Sequence, residues 1–147
     1  DDDSSSGGPV TMRFGIRRSL NLVAAHAMVE FTTPKEVADF AHRCGITASL
    51  PEGPSLALGT GEASPLAMAS ALGVFASEGL RAKPFSVLKI EDRKGTLLYN
   101  AQPDTSTVVD SATAYLVTDA LRAVVDAAAG KVLHLSGNQR LPELRRP

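Results

Sequence analysis

The tetrapeptide Thr33-Pro34-Lys35-Glu36 leaves the backbone little choice. A threonine hydroxyl can accept from the third helical amide, proline suits the first helical position, and glutamate reaches back to the threonine amide. A helix therefore starts here. Val37, Phe40 and Ala41 continue it as an apolar stripe, and Cys44-Gly45 supplies the stop. Ser64-Pro65 repeats the cap-then-proline start, predicting a helix over Leu66 to Ser77 that ends before Gly79. Its many Ala and other small residues predict a buried helix with close packing on both sides.

Other elements follow from the same punctuation. Thr11 is a good cap for a helix over Met12 to Arg18, and a further helix follows Asn21, with Leu22, Ala25 and Val29 on its apolar face. Ile46 to Gly61 is rich in Gly, Pro and Ser and reads as loop. Val87, Leu88 and Ile90 precede the polar run Glu91 to Gly95, and Thr96 to Tyr99 follow it, so Pro84 to Asn100 reads as a β-hairpin. Gln102 to Thr107 reads as linker. Asp110 or Ser111 caps a long helix to about Ala129, with Leu116, Val117, Leu121, Val124 and Val125 inward and Gly130 as its end. Pattern alone therefore predicts a mainly helical domain with one hairpin and no internal repeat.

Composition narrows the function classes. The 147 residues are 44% apolar and 21% charged, which suits one domain or a large piece of one. Such a chain buries roughly 70% of its unfolded surface. Trp is absent and aromatics are 5%, so the core must be aliphatic. A net charge of −1 argues against binding nucleic acid by phosphate neutralisation, and Arg140, Arg145 and Arg146 read as solvated tail charges. Cys44 is the sole cysteine, so no internal disulfide is expected. His26, His42 and His134 are scattered without zinc spacing, and no metal or cofactor is expected. No run of ~18 apolar residues spans a membrane. Residues 1–8, acidic and then Ser/Gly-rich, read as a flexible segment without the features of a secretory signal.

Chemistry points to Ser19-Leu20-Asn21, between two predicted helices. S-x-N alone is a weak motif, most simply explained as a cap for the next helix. Its surroundings carry more. Gly8-Pro9-Val10-Thr11-Met12-Arg13 leads to Arg18-Ser19-Leu20-Asn21. Then come Pro54 to Leu66 (PSLALGTGEASPL), Met68-Ala69-Ser70-Ala71, Phe75 to Gly79 (FASEG) and Ile90 to Gly95 before Leu98-Tyr99. This ordered set, from about Gly8 to about Leu135, resembles the transpeptidase domain of class A penicillin-binding proteins.

The resemblance implies a penicillin-binding-protein/β-lactamase-like α+β fold, of which residues 1–147 would be a middle part. It implies a serine acyl transferase acting on peptidoglycan stem peptides and β-lactams at the extracytoplasmic face of a bacterial membrane. The family uses S-x-x-K, S-x-N and K-T-G or K-S-G; its serine hydroxyl attacks a D-alanine carbonyl with a lysine as base. Ser19 would relay a proton to the leaving amine, and Asn21 would hydrogen-bond the substrate amide.

The other two motifs are not found. Ser86-Val87-Leu88-Lys89 fits S-x-x-K as a string but lies in a predicted strand, where residues three apart face opposite sides. Lys94-Gly95-Thr96 has the letters of the third motif in the wrong order, and Lys131 is followed by Val132. Residues 131–147 resemble the approach to the K-T-G strand. Gly61 stands where the family often has Ser, and Ala127-Ala128-Ala129 where a Gly-Thr pair is frequent. The chain alone is therefore expected to be inactive. A complementing chain or segment bearing S-x-x-K and K-T-G is the expected partner. The alternative is a non-catalytic binding or scaffolding protein derived from the fold. The Ser64 to Ser77 helix, if built to face a sheet, should expose apolar surface in this chain.

Overall fold

The computed structural model describes residues 8–135. Helix α1 (Met12–Arg18), α2 (Asn21–Phe31) and α3 (Pro34–Cys44) come first, then a 3-10 turn (Pro54–Leu58) and α4 (Pro65–Ala76). Strands β1 (Leu80–Ala82), β2 (Lys89–Glu91), β3 (Leu97–Asn100) and β4 (Thr105–Thr107) lead to the long α5 (Ser111–Leu135). Two antiparallel two-stranded sheets form among the described residues, β1 with β4 and β2 with β3. The fold class is α+β, as expected.

The caps act as their side chains predict. The Thr33 hydroxyl accepts from the Glu36 amide at 3.2 Å, and the Glu36 carboxylate accepts from the Thr33 amide at 2.9 Å. Thr11 accepts from Phe14 N–H, Ser64 from Ala67 N–H, and Asp110 from Thr113 N–H. Each satisfies an amide that has no partner within its helix. In the β2–β3 hairpin, Asp92 Oδ1 accepts from the amides of Lys94 and Thr96 at 2.7 and 2.8 Å. Gly95 takes φ 84°, which the turn requires.

The core is small and aliphatic: Met28, Ala38, Cys44, Ile46, Val74 and Ala114 are buried. Helix α5 packs on α1 and α4, and α4 also meets α3 and β1. Val74 is fully enclosed, a placement that stabilises by about 1.5–3 kcal/mol. The Thr118 hydroxyl donates to the Phe75 carbonyl at 3.1 Å, tying α5 to α4. Phe75 and Phe40 meet with ring centroids 6.4 Å apart, and the Arg43 guanidinium lies over the other ring, 5.3 Å from the Phe40 centroid. The Arg13 guanidinium pairs with Asp119, joining α1 to α5.

Several expectations change. The linker contains β4, which pairs Thr105, Ser106 and Thr107 with Ala82, Arg81 and Leu80. The loop from Ile46 to Gly61 contains the 3-10 turn. Gly130 does not end α5, which continues to Leu135; a glycine weakens a helix by about 1 kcal/mol but does not break it. On α5, Leu116, Leu121 and Val125 face outward, Val117 and Val124 are half-buried, and Ala114 is buried. On α2, Leu22 and Val29 are exposed and Met28 is buried. Each helix carries more apolar residues than one packed face needs, and tertiary contacts choose among them. Helix α4 is not buried on both sides: Leu66, Met68 and Leu72 are exposed, because only one of its faces meets neighbours in this chain. Apart from Gly8, the expected flexible segment lies outside the described residues, as does the tail beyond Leu135.

Candidate active site

Ser19 closes α1. Its φ of 54° and ψ of 46° are left-handed, a conformation uncommon outside glycine. The Ser19 amide donates to the Ile16 carbonyl and the Leu20 amide to the Gly15 carbonyl, each at 3.0 Å. This is a Schellman closure with serine at the position glycine usually fills. Leu20 then adopts an extended conformation and α2 begins at once with Asn21. One left-handed and one extended residue complete the reversal.

The side chains are not spent on capping. The cap of α2 is Leu20, which has no side-chain acceptor, and Asn21 is already the first helical residue. Both Ser19 and Asn21 are exposed. They line one open cavity of about 290 Å³ with Met12, Gly15, Ile16, Leu20, Val23, Ala24, Ala57 and Leu58. The structure thus brings Ser19 and Asn21 together on a wall that is otherwise largely apolar. A hydroxyl there can pass a proton and a carboxamide can match a peptide amide. The cavity lining contains no ionisable side chain. These residues can relay and orient, but they cannot supply a base.

The remaining candidates do not join this site. Lys89 opens β2 and its Nζ donates to Glu91 Oε1 at 3.0 Å, while Ser86 lies in a bend before the strand. They share no helical turn. Lys94 and Gly95 belong to the hairpin turn, where the backbone amides of Thr96 and Lys94 hold the Asp92 carboxyl below its usual range. Lys131 lies within α5. The Cys44 thiol is buried, and burial pushes its pKa up, so it is not poised as a nucleophile. His42 is exposed, with Nδ1 2.7 Å from the Ile46 carbonyl oxygen, and His26 is exposed on α2. The side chain of His134 lies outside the described residues. No group of three or more His, Cys, Asp or Glu among the described residues could hold a metal ion.

Gly15, Ala57 and Leu58 escaped sequence reasoning as site residues. Gly15 left a faint trace, as a glycine inside an otherwise good helix. Ala57 and Leu58 fall in the Pro54 to Leu66 string that carries the resemblance, but only the packing of the 3-10 turn against α2 brings them to the cavity.

Similarity to known proteins bears on the family and the fold. The profile of the penicillin binding protein transpeptidase domain matches residues 1–140. The chain belongs to that family. It is 35% identical over 125 residues to penicillin-binding protein 1A of Aquifex aeolicus, covering 84% of this chain and 17% of the relative. It is 31% identical over 130 residues to penicillin-binding protein 1A of Clostridium acetobutylicum, covering 86% and 16%. The chain therefore spans about a sixth of the length of these relatives. The crystal structure of penicillin-binding protein 1A from Haemophilus influenzae superposes with a TM-score of 0.74 at 24% identity, covering 92% of this chain and 23% of that one. A Mycobacterium tuberculosis structure, PBPA, gives 0.70 at 15% identity, covering 81% and 32%. These two likenesses bear on the fold.

Proposed function

We propose that this chain supplies the S-x-N wall of a serine D,D-transpeptidase that cross-links peptidoglycan stem peptides and is acylated by β-lactams. The observation that carries the reading is the placement of Ser19 and Asn21. Both side chains stand exposed on one cavity, at a helix junction whose caps do not use them. In the proposed reaction a serine from an S-x-x-K segment attacks the D-alanine carbonyl, and its lysine takes the proton. Ser19 passes a proton to the departing amine, while Asn21 holds the substrate amide. Backbone amides at the nucleophile and the K-T-G strand stabilise the oxyanion. The proposed setting is the extracytoplasmic face of a bacterial membrane. Among the described residues no helix is long and apolar enough to cross one.

With no base in the cavity and no S-x-x-K or K-T-G in a usable position, the 147 residues alone should form no acyl-enzyme. The proposed partner is a segment bearing those motifs, in the same or another polypeptide. Intact-mass spectrometry after incubation with a penicillin tests this. The chain alone should gain no adduct, and a protein joining this sequence to both motifs should gain one, on the S-x-x-K serine. A stable adduct on the isolated chain would overturn the assignment. A folded, completed protein that binds muropeptides but never acylates would favour a non-catalytic binding role.

A further inference from the structure

We propose that Gly15 is a positioning residue for the Ser19-Leu20-Asn21 turn, holding it by leaving out a side chain. Its importance for catalysis rests on the function proposed above; the geometric claim does not.

Gly15 is buried in the middle of α1, where alanine is ordinarily the better helix former. Its φ is not in the left-handed region, so conformational freedom does not explain it. Space does. A Cβ at Gly15 would lie 2.5 Å from Cγ1, 2.9 Å from Cβ and 3.1 Å from Cγ2 of Val23. These are atoms of a short β-branched side chain on the first turn of α2, with little freedom to swing aside. A methyl group at Gly15 therefore has to push α2 away from α1.

That displacement cannot be absorbed far from the motif. The Gly15 carbonyl accepts from the Leu20 amide, and the Ile16 carbonyl from the Ser19 amide. Val23 in turn donates its amide to the Leu20 carbonyl at 3.1 Å. Gly15, Leu20 and Val23 are thus linked by consecutive backbone hydrogen bonds, with Ser19 and Asn21 on either side of Leu20. Separating the helices stretches this chain of bonds first. It relaxes Ser19 out of its left-handed conformation and turns Asn21 relative to it.

Amide exchange and backbone carbon shifts of the 147-residue chain test the claim, with the end of α3 as internal control. There Ile46 N–H donates to the Ala41 carbonyl and Gly45 N–H to the His42 carbonyl, the same closure without a neighbouring helix at the glycine. Gly15→Ala should speed exchange at Leu20 at least ~10-fold more than at Ile46 and shift the Ser19 carbons away from left-handed values. Val23→Ala added to Gly15→Ala removes Cγ1 and Cγ2 but leaves Cβ at 2.9 Å, and should restore both signals in part. Equal acceleration at Leu20 and Ile46, or unchanged Ser19 shifts, would overturn the proposal. If Gly15→Ala does not fold, Val23→Gly, which removes all three atoms, decides: a Val23→Gly chain that folds beside a Gly15→Ala/Val23→Gly chain that does not would show that Val23 is not the cause.

In a completed transpeptidase, Gly15→Ala should lower the acylation rate constant about 100-fold, the scale of an ångström misplacement, with Val23→Ala restoring part of it. Failure of the wild-type protein to acylate would sink the proposed function while leaving the exchange result to judge Gly15.

Discussion

The ends of α1 and α3 are built alike and finished differently. In both, two amides turn back onto the helix with bonds of 3.0 Å: Ser19 and Leu20 onto Ile16 and Gly15, and Gly45 and Ile46 onto His42 and Ala41. In both, the turning residue is left-handed. At α3 it is Gly45, with φ 112°, packed beside Arg81. At α1 it is Ser19, with φ 54°, open to the cavity. Serine in this conformation costs on the order of 1 kcal/mol or more that glycine avoids. One terminus uses the residue the backbone prefers, and the other keeps a hydroxyl where the backbone would be better off without one.

A left-handed residue also follows α4. Just past α4 and its cap Ser77, Glu78 is left-handed, and the next residue, Gly79, donates to the Val74 carbonyl at 2.8 Å. A Cβ on Gly79 would sit 2.1 Å from the Val109 carbonyl oxygen. Glycine is needed there both for close approach and for its own φ of 93°, and glutamate takes the left-handed position before it. A left-handed residue at a helix end is therefore not a mark of chemistry in itself. At Ser19 it gains meaning from the neighbouring Asn21, the shared cavity and the family.

The comparison can be broken most decisively through the hydroxyl. In a completed transpeptidase, Ser19→Ala and Asn21→Ala should each cut the acylation rate about 10²–10⁴-fold, the range for positioned proton-transfer and binding groups. Labelling with a fluorescent penicillin measures it. Gly45→Ala should leave acylation unchanged and destabilise by about 1–3 kcal/mol, read from the urea midpoint, because alanine resists that φ. Ser19→Gly should move the two properties in opposite directions. Acylation should fall as for Ser19→Ala, while stability rises, because relief of about 1–3 kcal/mol of left-handed strain exceeds the roughly 0.4–1 kcal/mol of added unfolded-chain freedom. If Ser19→Gly destabilises the chain, the claim that the serine is retained against the backbone's preference fails.

The smallest effect expected is a pH dependence. Hydrogen bonds from Thr33 and Thr32 hold the Glu36 carboxyl below its ordinary range, and hydrogen bonds from Thr113 do the same for Asp110. A carboxylate with a lowered folded-state pKa contributes stability above its unfolded value, about 4. That contribution is lost as pH falls through the lower folded-state value. Thermal melts should decline modestly below pH ~4, and Glu36→Gln should flatten part of the decline. The C-terminal closures of α1 and α3 should not add to it, since both are made by backbone groups alone.

Much of the fold was legible because its cues are local. Thr11, Thr33, Ser64 and Asp110 cap the helices they were expected to cap, since a cap needs only a side chain and an amide three residues on. The hairpin around Asp92 and Gly95 was readable for the same reason. The family motif also identified Ser19 and Asn21 as candidates without any coordinates. Contacts distant in sequence decided the rest. Thr105-Ser106-Thr107 became a strand because Leu80 to Ala82 offers an edge to pair with, and its own pattern says nothing of that. Ala114, rather than Leu116 or Leu121, is buried on α5, the helix that packs against α1 and α4. The cavity exists because the 3-10 turn docks on α2 and because Gly15 lets α2 close on α1. Capping and turn bonds form between near neighbours and are written in short strings. Which apolar face is buried, and what meets across a gap, depends on excluded volume between segments that the chain brings together only on folding.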